Sequence, residues 1–231
     1  MSRINRDEHL VTAMPLGKQI ERHLYSDIVE CRLSPGKHLS ENDVAVRFGV
    51  SRQPVREVFI RLAENGLIRI LPQRGSYVTR ISLPQVSEVA FIRQAIECAL
   101  VRKLAEHGMT DELCSRFEEN LQQQQAAIKS SDISDFLFAD DRFHALLAEA
   151  ASCRLSWSTI ANIKPAMDRV RFLSLQSLSS AAELLEQHEK IFSAIRMKDH
   201  MTAATTMHRH LDDITHTVQQ IYQRWPDWFS L

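Results

Sequence analysis

The stretch Ser51-Arg52-Gln53-Pro54-Val55-Arg56-Glu57-Val58-Phe59-Ile60-Arg61-Leu62-Ala63-Glu64-Asn65-Gly66 reads as one helix with both ends written in. Ser51 is of the type that caps the orphan N–H groups of a first turn, and Pro54 falls in that turn, where a missing N–H costs little. Gly66 stands just beyond the last periodic position, where a left-handed residue closes a helix. Val55, Val58, Phe59 and Leu62 make an apolar face, and Arg52, Gln53 and Arg56 lie near the start, at the edge of that face or off it. A short helix presenting Arg and Gln from its N-terminal end suits the major groove of DNA. Arg pairs there with guanine or phosphate, and Gln with adenine or phosphate. Taken alone, the segment reads equally as a surface helix with solvated arginines.

Its neighbours separate the two readings. Pro15–Arg32 carries Leu16, Ile20, Leu24, Ile28 and Cys31 along one helical stripe, and Ser34-Pro35-Gly36 then breaks the chain. Ser40 opens a second short helix, Glu41–Phe48, with Val44, Ala45 and Phe48 inward, and Gly49 ends it. Two capped short helices in immediate succession have the length and spacing of a helix-turn-helix. Beyond Gly66, the β-prone runs Leu67–Leu71 and Ser76–Ile81 flank Pro72-Gln73-Arg74-Gly75. They make a hairpin with a basic tip, which is a wing. Gly75 permits the tight turn, and Arg74 is placed to reach the minor groove or a flanking phosphate.

Residues 16–81 resemble the winged-helix DNA-binding domain of GntR-type bacterial transcription regulators. The resemblance rests on Leu33-Ser34-Pro35-Gly36, Val50-Ser51-Arg52-Gln53-Pro54-Val55-Arg56-Glu57 and Pro72-Gln73-Arg74-Gly75-Ser76-Tyr77-Val78. The remainder resembles the all-helical FCD effector domain of the FadR-type subgroup, within which the chain is similar to RspR-like regulators. The resemblance implies DNA contacts from Arg47, Ser51, Arg52, Gln53, Pro54, Arg56, Arg74 and Gly75. Related winged helices often place Arg on the second helix where this chain has Asn42, so either a phosphate or base contact is weaker there or Arg47 takes a different one.

Composition agrees. The 231 residues have room for two modest domains, and 44% hydrophobic with 25% charged residues is ordinary for a soluble globular protein. No apolar run has the length of a membrane span, and the polar N-terminus is not a signal peptide. The four cysteines, scattered without a CxxC pair, read as reduced thiols of a cytoplasmic protein. Residues 1–80 hold 13 Lys and Arg against 9 Asp and Glu, leaving 15 against 20 for the rest. The positive charge therefore concentrates where the winged helix falls.

The expected organisation is a flexible arm over 1–14, a winged helix-turn-helix over 15–81 and a helical domain over 82–231. Ile81-Ser82-Leu83-Pro84 is the joint, and Gln122–Gln125 reads as a helix face. Beyond it the pattern predicts helices at Pro84–His107, Asp111–Lys129, Ile133–Ala151, Leu155–Leu175, Ala181–Met197 and His200–Trp225. The fold class is mostly α, a winged helix followed by an antiparallel all-helical bundle.

Polar residues fall in unexpected places on those helices. Phe136, Phe143 and Leu147 define one apolar arc, with Asp140 and His144 inside it at i,i+4. His188 lies near the centre of the arc of Leu184, Ile191 and Ile195. His210 lies at the edge of the arc of Met207, Leu211, Ile214 and Val218, and His208 points farther out. A single inward His is usually a satisfied core residue. A carboxylate and three imidazoles from three helices are better explained by a metal centre, and nitrogen-rich ligation suits Zn first, then Ni, Fe or Mn. The FCD resemblance implies the same four ligands and breaks the tie between Asp140 and Asp141 the same way.

Arg93 falls on the arc of Val89, Ile96 and Leu100, and Arg171 near Ile160 and Met167, while Arg169 points outward. A buried Arg needs an anion. Two readings stand: an internal carboxylate such as Glu97, or a small carboxylate effector held by guanidinium and metal together. The family resemblance implies a hydroxy acid or sugar acid as effector. The function expected is a ligand-responsive regulator, a repressor acting as a homodimer on operator DNA. The alternative is a metal-dependent hydrolase with an appended nucleic-acid module, against which stands the absence of HExxH, nucleophile-elbow and phosphate-loop motifs.

Overall fold

The computed structural model describes residues 14–177 and 180–230, so nearly all of the arm expected over 1–14 lies outside the described residues. The chain divides into two compact units between Thr79 and Arg80.

In the first unit, α1 (Leu16–Val29), α2 (Glu41–Phe48) and α3 (Arg52–Glu64) enclose a core of Ile20, Leu24, Ile28, Val55, Phe59 and Leu62. These are the residues that the helical period places on one stripe of each helix, which is why three short helices hold together: each buries its stripe against the others. Ser40 caps α2 by accepting from the Asp43 N–H at 3.2 Å, and Gly49 ends it at φ 65°.

Ser51 departs from its expected role. It has the extended backbone of an N-cap, yet its side chain makes no capping hydrogen bond. Capping oxygens reach the N–H of the second or third helical residue, and here the third is Pro54, which has none. The proline in the first turn removes one of the cap's two usual donors.

The wing is β2 (Ile68–Leu71) paired antiparallel with β3 (Gly75–Val78), in register from Ile68 opposite Val78 to Leu71 opposite Gly75. The second wing strand ends at Val78, earlier than the expected Ile81. A strand that sequence reading missed, β1 (His38–Leu39), pairs with β3 to complete a sheet of order β1-β3-β2. Two residues carry no period, so only the partner strand reveals it. At the wing tip the Arg74 N–H donates to the Leu71 carbonyl at 3.0 Å, with Gln73 at φ 59°. Gly75 takes φ 91°, and a Cβ there would lie 2.5 Å from His38 Nε2.

The second unit is helical: α4 (Leu83–His107), α5 (Asp111–Ser130), α6 (Ile133–Ala150), α7 (Arg154–Ile163), α8 (Pro165–Ser177), α9 (Ala181–Arg196) and α10 (His200–Arg224). Side chains of Ser82, Thr110, Asp132 and Asp199 cap α4, α5, α6 and α10. The one helix expected over Leu155–Leu175 is two, because Pro165 lacks the N–H and its ring crowds the preceding turn. The core runs through Val101, Phe117, Phe143, Leu147, Ile191 and Met207. After a 3₁₀ turn at Pro226–Trp228, β5 (Phe229–Ser230) pairs in parallel with β4 (Ile81–Ser82), which precedes α4. Ile81 thus belongs with the second unit. No helix among the described residues is long and apolar enough to cross a membrane.

Asp27, buried on α1, binds Arg47 Nη1 of α2 at 2.5 Å and Arg32 Nε at 2.7 Å. Burial alone would raise its pKa, but the two guanidinium groups outweigh that and hold it below the usual carboxylate value. A depressed folded-state pKa contributes stability above the unfolded carboxyl pKa that is lost as pH falls through the folded one. Both arginines are about half exposed, so solvent screens the pair. Asp27→Asn is therefore expected to destabilise the first unit by about 1 kcal/mol at neutral pH. Urea unfolding across pH checks this: the gap between the two proteins should close as pH drops below the carboxylate range.

Candidate metal centre and DNA-binding face

Three helices of the second unit send polar side chains to one buried point. Asp140 and His144 stand one turn apart on α6, His188 comes from α9 and His210 from α10. Their exposures are 4%, 1%, 0% and 8%, so none is solvated. Nε2 of His210 lies 3.2 Å from Nε2 of His188 and 3.3 Å from Nε2 of His144. Asp140 closes the set, with Oδ1 3.6 Å from His188 Nε2 and Oδ2 3.7 Å from His144 Nε2.

The other nitrogen of each ring is held by an oxygen. His188 Nδ1 donates to Gln124 Oε1 at 2.8 Å, His210 Nδ1 to Gln187 Oε1 at 2.7 Å, and His144 Nδ1 to Glu97 Oε2. The glutamines are themselves oriented: Gln124 Nε2 donates to Asn120 Oδ1 and Gln187 Nε2 to Asp213 Oδ2, both at 2.8 Å. With Nδ1 as donor in all three rings, each Nε2 carries a lone pair, and three lone pairs face one another beside a carboxylate. Burial, and then the neighbouring imidazoles, keep His188 and His210 well below the usual histidine pKa, so neither of these two rings takes up a proton to relieve the arrangement.

Arg93 and Arg171 take the internal partners that sequence reading held as one of two options. Arg93 Nε donates to Glu97 Oε1 at 2.7 Å, and its Nη2 is buried without a hydrogen-bond partner. Burial works against the Glu97 carboxylate, but the charge of Arg93 and the hydrogen bonds from His144 and Arg93 outweigh it and hold its pKa well below the usual carboxylate range. Arg171 binds Asp141 at 2.8 Å and Asp168 at 3.0 Å through Nη1, and Asp140 through Nη2. Lys164 pairs with Asp141 and Asp168 beside it. A cavity of about 60 Å³ adjoins the cluster, lined by Arg93, Asp140, Arg171 and His210 among others.

Sequence reading missed two parts of this centre and misplaced Arg169 on α8. Gln124, read only as part of a helix face, is fully buried between Phe117 and Ala127 on the inward stripe of α5, and that spacing was its legible signal. Gln187 gave no signal, since it flanks the stripe. Arg169, expected outward, is 2% exposed: α8 begins afresh at Pro165, so the phase carried from α7 does not apply to it.

In the first unit Ser51, Arg52, Gln53 and Arg56 are exposed at the start of α3, with Pro54 half-buried beside them, and Arg74 and Gly75 are exposed at the wing tip. Arg56 has no protein partner among the described residues. Arg52 reaches Glu41 at 2.9 Å and Gln53 reaches Glu57 at 3.1 Å, both at the exposed surface. Arg47 is committed to Asp27 and lies 5.1 Å from the centre of the Phe48 ring, so its first role is to clamp α1 to α2.

Residues 88–213 match the model of the FCD domain, and residues 16–78 that of the gntR family of bacterial regulatory proteins. The HTH-type transcriptional repressor RspR of Escherichia coli strain K12 is 50% identical over 224 residues, 97% of this chain and 98% of that protein. The gluconate operon transcriptional repressor of Bacillus subtilis strain 168 is 27% identical, over 89% of this chain and 86% of its own. Among solved structures, E. coli McbR/YncC aligns with a TM-score of 0.74 at 21% identity, covering 90% of this chain and 99% of that one. With both halves matched in order and half the residues shared with a full-length repressor, the chain belongs to the GntR family of bacterial DNA-binding transcription regulators, in the group that carries an FCD domain.

Proposed function

We propose that this regulator is a ligand-responsive repressor whose helical unit holds a divalent metal ion and, beside it, a small carboxylate effector. One observation carries the reading: three imidazole lone pairs and a carboxylate converge in a buried site, with every Nδ1 already satisfied. Ligand atoms about 2.1 Å from a common centre are about 3.0–3.4 Å apart at right-angled or tetrahedral geometry, and the nitrogen separations here agree. A divalent cation would supply the positive charge that this donor set lacks. Zn fits it best, with Ni, Fe or Mn as the other borderline candidates. The oriented second nitrogens fix ring tautomer and direction, as metal-binding histidines require. Relatives named as repressors support regulation over hydrolysis.

The DNA face is assigned to Ser51, Arg52, Gln53, Pro54, Arg56, Arg74 and Gly75. The exposed pair of Arg52 with Glu41 is worth little and exchanges readily for a phosphate or a base. Arg47 joins the face only if Asp27 is left to Arg32. The effector's influence is assigned to α10, which carries His210 and leads into β5, the strand paired with β4 at the joint. A homodimer is assigned to the α4 surface, where Phe91 is 71% exposed and the small Ala95, Cys98 and Ala99 form a shallow groove beside His208. An exposed phenylalanine next to small residues permits close approach of a second copy.

Arg56→Ala should weaken operator binding by about 1–3 kcal/mol with relaxed base preference. Arg74→Ala should flatten the salt dependence of binding by about one counterion. Binding titrations on operator DNA across salt concentrations check both, and unchanged selectivity and slope would remove these residues from the interface.

Saturating metal at about 100 times its Kd should raise unfolding free energy by about 2.7 kcal/mol over the chelated protein. His188→Ala should lose both metal and effector-induced release from DNA, while keeping operator binding in the absence of effector. Metal analysis paired with operator titration decides: a folded, metal-free variant that still responds fully would show that the metal has no part in signalling.

Phe91→Asp should convert the dimer to monomer in sedimentation equilibrium and weaken operator binding, because two linked half-site contacts become one. A variant that remains dimeric places the interface elsewhere.

A further inference from the structure

The three strands of the wing sort their side chains by face. Leu39, Ile68, Ser76 and Val78 are buried on the inner side. The alternate residues stand on the outer side, where His38 of β1 and Arg69 of β2 lie directly opposite Tyr77 of β3. Two of these three make contacts that lead to the wing tip. The His38 and Tyr77 rings meet edge to face, 5.1 Å between centres. The Tyr77 hydroxyl donates to the Arg74 carbonyl at 2.9 Å. The His38 imidazole occupies the space where a side chain at position 75 would begin, and only glycine leaves that space open.

The tip is a turn that needs support. Gln73 and Gly75, on either side of Arg74, both take left-handed backbone, at φ 59° and 91°. Glutamine is unfavourable in that region, so the turn does not hold this shape by local preference. On one side of Arg74 its N–H is tied to the Leu71 carbonyl; on the other its carbonyl is tied by Tyr77. The supports themselves rest on the core. Leu39, next to His38, is buried, and β1 is laced to β3 by Val78 N–H to the Lys37 carbonyl and Gly36 N–H to the Val78 carbonyl, both at 2.9 Å. Tyr77 stands between the buried Ser76 and Val78.

We infer that His38 and Tyr77 are positioning residues that fix the wing tip in the shape from which Arg74 enters the minor groove, and that they do so without touching DNA themselves. The inference rests on the assignment of Arg74 to the operator contact. A tip already in its bound shape loses less conformational entropy on binding, so these two rings contribute to affinity through Arg74 alone. They also contribute to base preference, because a guanidinium whose backbone is held in place distinguishes A·T from G·C steps in the minor groove better than one that wanders.

The test is a double-mutant cycle in the full-length protein, titrated against operator duplex selected from a random-sequence pool with the unaltered chain. Tyr77→Phe removes one hydroxyl and keeps the ring; His38→Ala removes the imidazole. Each is expected to weaken binding by about threefold or more and to relax base preference where the wing docks. Added to Arg74→Ala, each is expected to change affinity by less than about 1.5-fold. In the free protein, amide hydrogen exchange at Arg74 and Gly75 should quicken while that of α1–α3 stays unchanged, which a general loss of stability would not produce. Tyr77→Phe serves alone if His38→Ala does not fold. Equal loss with and without Arg74 means that the rings contact DNA directly and overturns the inference. Full binding by both single variants, with Arg74→Ala impaired, overturns it and leaves the Arg74 contact standing. Full binding and unchanged selectivity by Arg74→Ala overturns both.

Discussion

Three imidazole nitrogens within 3.3 Å of their neighbours, all buried, form the constraint on which the second unit depends. Such an arrangement repels itself, and a well-packed protein would ordinarily separate the rings or fill the place with leucine. Here each ring is instead clamped from behind by an oxygen acceptor, and each of those acceptors is itself clamped: Gln124 by Asn120, Gln187 by Asp213 and Glu97 by Arg93. The cost is met by Phe117, Phe143, Phe192 and the aliphatic residues around them, which close the helices over the site. Phe143 stacks directly on His188 at 4.1 Å between ring centres, so the apolar core and the polar cluster share one wall. Packing energy holds the donors together, and the donors in turn specify which helices meet.

The first unit solves a different problem with less material. Its helices are short, and each has only one buried stripe. The clamp of Asp27 to Arg47 and Arg32 adds a polar tie between α1 and α2 where the apolar core thins out. At α3 the chain places a proline in the first turn and forfeits the serine cap, which leaves the Ser51 hydroxyl outside the helix's own hydrogen bonding. The same turn exposes Arg52, Gln53 and Arg56. A helix start that lacks its own cap presents unsatisfied N–H groups and a positive dipole end, both suited to phosphate.

The last residues of the chain have a place in this scheme. Helix α10 contributes His210 to the cluster near its middle, and beyond it β5 pairs with β4, the short strand that precedes α4. Ile81 and Phe229 are buried in this pairing, with Tyr222 packed edge-on against Phe229. Helix α10, with the 3₁₀ turn and strand that follow it, therefore links the polar centre to the segment from which the chain enters the second unit.

The sequence by itself determined the helix stripes, the turn residues and the inward position of Asp140, His144, His188 and His210, because each of these is a matter of spacing along one element. A period of 3.6 residues sorts a side chain to the buried or the exposed face without knowledge of what it will meet. It also left Asp140 and Asp141 distinguishable, and the two indeed face different surroundings. Only the tertiary structure decided what those inward groups bind. That Arg171 is saturated by three carboxylates while Arg93 keeps a bare nitrogen depends on contacts across α4, α6 and α8, separated by tens of residues. The same holds for Gln124 and Gln187 behind the imidazoles, and for β1 and the β4–β5 pair, which exist only through partner strands remote in the chain. Local periodicity fixes which way a residue points; pairing between elements needs the fold, since a hydrogen bond or an ion pair is defined by two residues whose separation along the chain sets no limit on their distance in space.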